Sequence, residues 1–263
     1  MAIDKDDADA LRKAVKLLEH PSLAARLTNM VGIPIELLGR ALPTSASQAI
    51  ATATTKSLEA AVNVALLTIR NKTQESSQLL HRTLAVASGA VGGAFGIFSL
   101  PFELPVSTLI ILRSILDIAR SEGENLDDPE AALSCVEVFG LGGRTENDDA
   151  AKSDYFVIRG ILAKSVTEAA RFIAERGIVE GSPVLVRLIT QVASRFGTVV
   201  SQKAAAQTIP VIGALGGAAV NYAFIDHFQS VARGHFTVRR LERKYGKEIV
   251  FRAYERFRQD IEH

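Results

Sequence analysis

The chain has 263 residues, 48% of them hydrophobic and 22% charged, with a formal net charge of +1. That balance gives no global field for nucleic acid, and the one cysteine, Cys135, excludes an internal disulfide framework and a cysteine-based metal site. The first residues carry Asp4, Lys5, Asp6, Asp7 and Asp9 and no apolar run, which reads as no secretory signal and suits a cytoplasmic location.

Nearly everything reads as helix. From Asp9 to Glu19, Leu11, Val15, Leu17 and Leu18 recur at helical spacing. Pro21 is placed to open the next helix, and Pro34 to Ala41 reads as a short one closed by Leu42 and Pro43. Thr44 or Ser45 caps a long Ala-rich helix to about Arg70, and another is expected from Gln74 to Phe98. Pro101 and Pro105 are expected to break that helix, with a new one from Val106 to Arg120 stopped by Gly123. Asp128-Pro129-Glu130 is a strong start signal: aspartate caps, proline presets the first turn, and glutamate suits the positive end of the dipole. That helix is expected to stop at Gly140, before a loop from Leu141 to Asp149. Further helices follow to Arg176, from Pro183 to about Phe196 with Gly197 as stop, and from Val199 to Gln207. Pro210 opens a long helix that Gly234 is placed to kink, and Lys247 to Glu262 closes the chain as an amphipathic helix.

Two segments nearly repeat, Gly89-Ala90-Val91-Gly92-Gly93-Ala94 and Gly213-Ala214-Leu215-Gly216-Gly217-Ala218. They lie in uncharged stretches, Thr83–Phe102 and Ala204–Ile225. Gly89, Gly92, Gly93, Gly96, Gly213, Gly216 and Gly217 include pairs four apart, which strip one helix face of side chains and let another backbone approach. Three readings follow: buried core helices, membrane-spanning helices, or a hairpin that leaves a soluble core for a bilayer. The first is favoured, because Gly and Ala contribute little transfer free energy and Pro210 shortens the second stretch. The expected fold is an all-α, single-domain helical bundle with the two Gly/Ala-rich helices packed together at its centre. An acidic amphipathic helix would occupy residues 1–20, the main helical domain 21–250, and a basic helix end 251–263.

Leu100-Pro101-Phe102-Glu103, Glu122-Gly123-Glu124, Asp128-Pro129-Glu130, Glu137-Val138-Phe139-Gly140-Leu141-Gly142-Gly143, Ser194-Arg195-Phe196-Gly197 and Asp226-His227-Phe228 follow one another along the chain. In that order they resemble the EcsC protein family of bacteria, over roughly residues 20 to 250. The resemblance implies a helical protein without an assigned reaction, and a family named for a product encoded beside an ABC transporter. It therefore implies work at a membrane or with an ABC-transporter-type membrane partner, and no catalytic residues to carry over.

Three constellations of charged or titratable residues and one lone cysteine stand out. Arg113 and Asp117 are four apart and placed to pair. Glu103, Glu137, His227 and His235 are the weak catalytic or metal-site candidates, but their spacing is poor and no Glu-x-x-His pair exists. Their plainer roles are a helix cap for Glu103, a pair with an arginine such as Arg144 for Glu137, and core hydrogen bonds for the histidines. Cys135 lies on an apolar helix and reads as a small hydrophobe. Arg239, Arg240, Arg243, Lys244 and Lys247 interleave with apolar residues and read as contacts for an anionic membrane surface. Together these readings give a non-enzymatic protein meeting a membrane surface or apolar lipid chains, with no metal and no cofactor. A metal-dependent hydrolase and a scaffold for a membrane protein are the alternatives, and no nucleic-acid partner is expected.

Overall fold

A computed structural model describes residues 3–19, 22–32, 43–70, 100–143, 155–179, 181–207 and 213–262. Among them the elements are α1 (Lys5–Leu18), α2 (Leu23–Val31), α3 (Thr44–Arg70), α4 (Leu100–Ser121), α5 (Pro129–Leu141), α6 (Tyr155–Arg176), α7 (Pro183–Gln207), α8 (Gly213–Tyr245) and α9 (Lys247–Glu262). The all-α bundle expected from the periodicity is what forms. The short helix 34–41, the helix 74–98, the glycines Gly89, Gly92, Gly93 and Gly96, and Arg144 lie outside the described residues, as does the proposed packing of the two glycine segments. Gly213, Gly216 and Gly217 fall in the first turns of α8.

Local chemistry sets most of the ends. Asp4 caps α1 by accepting from the Asp7 N–H, Ser22 caps α2 through Ala25, and Asp128 caps α5 through Glu130. Gly32, Gly123, Gly177 and Gly246 close helices with positive φ, which costs glycine no Cβ clash. The expected opening of α2 at Pro21 gives way to the Ser22 cap.

Two expected breaks do not occur. α4 runs through Pro105, and α7 runs through Gly197 to Gln207. Pro105 falls early in its helix, where the missing N–H costs a single ladder bond. At Gly197 the buried face continues on both sides through Phe196, Val199 and Val200, and their burial outweighs glycine's cost of about 1 kcal/mol. α7 ends at Gln207, as expected, and α8 starts at Gly213 among the described residues.

Every residue of α5 from Ala131 to Leu141 is buried, as a helix apolar all round requires. It packs against α3, α4, α6, α7 and α8. α8, about 50 Å long by its 33 residues, is the other organising element. It touches α1, α2, α4, α5, α7 and α9. Its Gly234 backs onto Leu18 and the Ala14 carbonyl, so that α1 approaches closely. Among the described residues α7 alone has the length and apolar composition of a membrane span.

Candidate functional site

Four polar junctions lie along α8, and most of the chemistry-bearing residues fall into them.

At its C-terminal part, α8 meets the turn that follows α4. Arg239 forks onto Glu124 at 2.8 and 3.0 Å, Arg243 also reaches Glu124, and Arg240 bonds Glu122 at 2.7 Å. Arg240 and Lys244 bond Asp7 at the start of α1, and the single Tyr245 hydroxyl proton is shared between Asp4 at 2.7 Å and Asp7 at 2.9 Å. Burial works against the Glu124 charge, but Arg239 and Arg243 outweigh it and hold its carboxyl below the usual range. Of the five cations expected at a membrane surface, Arg239, Arg240, Arg243 and Lys244 are thus bound to the protein's own carboxylates. Lys247 is exposed.

One turn inward lies a fully buried polar group. The Tyr155 hydroxyl and His235 Nδ1 are 2.8 Å apart, and Tyr254, stacked on Tyr155, donates to Glu19 at 2.6 Å. Arg159 forks onto Glu242 at 2.8 and 2.7 Å. Glu137, on α5, is buried near the charges of Arg159 and Arg239, and its Oε1 has no partner among the described residues. Burial pushes its carboxyl up to about 7. Burial likewise drives His235 well below its ordinary value, and its Nε2 is also unpartnered. Cys135 is fully buried in the same helix, with its thiol pushed up by burial.

The third junction is at the end of α5. Arg195 donates to the Gly140 and Gly143 carbonyls at 2.9 and 2.7 Å, and His227 Nε2 donates to the Gly142 carbonyl at 2.8 Å. These bonds satisfy carbonyls that a helix end leaves open. Phe139, Phe196 and Phe228 pack ring to ring beside them. Burial lowers His227 to about 4, so it stays neutral. The expected loop begins one residue late, at Gly142 after α5 ends at Leu141, and its described start is a contact surface: a Cβ on Gly143 would stand 2.0 Å from the Arg195 carbonyl oxygen, and one on Gly142 2.7 Å from Phe228.

The fourth junction joins α4, α7 and α8. Lys203 is 0% exposed and donates to Glu103 at 2.7 Å, with its Nζ 4.7 Å from the Phe224 ring centre. Burial pulls the Lys203 ammonium down, and Glu103 opposes that. Gln207 donates to the other Glu103 oxygen at 3.3 Å, and against burial Lys203, Gln207 and Asn221 together hold the carboxyl below its usual range. Phe102 beside Glu103 is 76% exposed, and Tyr222 beside Asn221 is 61% exposed.

The four weak catalytic candidates are thus distributed: Glu103 with Lys203, His227 at the α5 terminus, and Glu137 and His235 in the sealed centre. Among the described residues no three His, Cys, Asp or Glu side chains come together as a metal would need. Glu103 forms a buried pair instead of a simple cap. Asp117 bonds Arg120 and not Arg113, on an exposed face. Lys203 was the functional candidate that residue-by-residue reading missed, although a signal existed. Glu103 is the single charge between Arg82 and Arg113, and Lys203 the single charge between Arg195 and Asp226. Two lone opposite charges in apolar segments call for each other.

No curated protein and no solved structure matches this sequence. Several of the segments that meet at these junctions also carry the resemblance described above, and a family model matches residues 6–241: the chain belongs to the EcsC protein family.

Proposed function

We propose that this chain is a non-enzymatic helical protein that associates with lipid, and that it does so with the end of the bundle where α4 begins and α7 and α8 meet. The observation that supports this is Phe102 and Tyr222, two large exposed side chains that are the sequence neighbours of Glu103, which pairs with Lys203, and of Asn221. Met30 adds a third at the end of α2, one turn beyond the Arg26–Asp226 ion pair with α8. Clustered apolar exposure of this kind marks an interaction surface.

The anionic-surface contact through Arg239, Arg240, Arg243 and Lys244 has weaker support, since each already holds a carboxylate. A hydrophobic contact is the better reading. Flotation with lipid vesicles tests it: wild-type protein should float, and Phe102→Ser with Tyr222→Ser should reduce flotation while the helical signal is kept. Unchanged flotation of the double variant would remove this surface. In cells, release from the membrane fraction by a high-salt or alkaline wash fits a peripheral contact, whereas retention through both washes fits inserted helices.

A further inference from the structure

The fourth junction carries more than an ion pair. An ionised carboxylate only accepts hydrogen bonds, so Gln207 turns its NH2 group to Glu103, and Asn221 favours the same charged form when its NH2 group faces that carboxylate. Each amide oxygen is then directed elsewhere. Gln207 Oε1 and Asn221 Oδ1 are both buried and both without a partner among the described residues. Two buried acceptors left without a donor are costly, and the cost is recovered when something donates to them.

The chemistry of the junction limits what that can be. An anionic head group would face two carbonyl oxygens. A cationic one would find the Glu103 carboxylate already taken by the Lys203 ammonium and no second carboxylate to compensate it there. A neutral group with hydroxyl donors meets neither objection. Phe102 and Tyr222, adjacent in sequence to Glu103 and Asn221, offer apolar surface to the rest of such a molecule.

We infer that Gln207 Oε1 and Asn221 Oδ1 accept hydrogen bonds from the head group of a neutral, hydroxyl-bearing lipid of the acylglycerol class, whose chain lies against Phe102 and Tyr222. The inference rests on the lipid association proposed above and names the lipid class for it.

The test uses the full chain and three lipids with the same hydrocarbon chain: 1-monooleoylglycerol, oleate and oleylamine. Native mass spectrometry counts the bound lipid, and vesicle flotation is run beside it. Monooleoylglycerol should be retained in preference to the other two. Gln207→Met and Asn221→Leu should each weaken its binding about tenfold, the effect of one lost hydrogen bond of about 1.4 kcal/mol. Equal uptake of the three lipids by the wild-type protein overturns the inference even if a variant fails to fold, and so does unchanged binding by folded variants. Flotation without head-group preference overturns this inference alone. Absence of both flotation and uptake removes the lipid association as well.

Discussion

Glu137 and His227 are buried titratable groups with opposite demands on pH. For Glu137, burial raises the carboxyl to about 7 from an ordinary 4.5. The folded chain therefore holds a proton that the unfolded chain has released, and stability falls as pH rises from 4.5 through 7. The fully developed loss is about 3 kcal/mol, from 1.36 kcal/mol per unit. Glu137→Gln removes the charge and should remove this slope. Chemical denaturation at pH 5 and pH 8 should show the variant gaining on the wild type by roughly 2 kcal/mol at the higher pH. An equal difference at both values would mean that Glu137 does not titrate in this window. His227 works the other way. Its imidazole is lowered to about 4 from 6.5, so its contribution is present above pH 6.5 and is lost as pH falls toward 4. His227→Gln should therefore be less sensitive than the wild type to acid between pH 6 and 4, measured by the same denaturation series. The two slopes oppose each other between pH 4.5 and 6.5, so the single variants resolve what a wild-type curve would blend.

The contacts between elements depend on close approach and on charge matching. At the end of α5, Gly143 has no room for a methyl group, because the obstructing atom is the Arg195 backbone oxygen and not a movable side-chain tip. Gly143→Ala should cost about 3 kcal/mol by forcing α5 away from α7, read as a lowered midpoint in thermal unfolding. Gly160→Ala is the matched control: its Cβ would meet open space, and the substitution in α6 should be neutral or mildly stabilising. At the α4–α8 clamp, Glu124 is only 4% exposed and holds two arginines. Glu124→Ala should destabilise by about 3 kcal/mol, because Arg239 is left half-buried and uncompensated. Adding Arg239→Met should recover much of that loss, and strict additivity in the cycle would refute the coupling.

How far these elements were legible in the sequence follows from the range of the forces involved. Caps act within four residues, so Asp128-Pro129-Glu130 and Gly123 announce their ends. Pro105 and Gly197 mislead, because a local penalty of one bond or about 1 kcal/mol yields to burial of the flanking turns. The site was legible only in part. Glu103 and Lys203 show as lone charges, but nothing in the spacing tells that residues 100 apart meet. The Tyr155–His235 pair, 80 apart, carries no local signal at all.

On the scale of the molecule, the cations of α8 are structural before they are anything else. Asp4, Asp7, Glu122 and Glu124 are drawn from α1 and the α4–α5 turn, and they tie both to the C-terminal part of α8. Reversing Arg239, Arg240 and Arg243 to glutamate would therefore set like charges against these carboxylates. The expected result is a large fall in thermal stability in the absence of any lipid, so lost lipid binding by that variant would say nothing of head groups. Exposed cations outside the clamp serve better: Lys247 is exposed, and Arg252 is bound only to the exposed Glu248 on its own helix. Lys247→Glu with Arg252→Glu should leave the fold intact. If the apolar end makes the contact, this variant should float with vesicles as the wild type does. Binding should also change by no more than about fivefold when anionic lipid is added, the effect of a single free cation near the surface at about 1 kcal/mol. Steep dependence on anionic lipid, abolished by Lys247→Glu and Arg252→Glu, would instead place the contact on α9 and move it away from Phe102 and Tyr222.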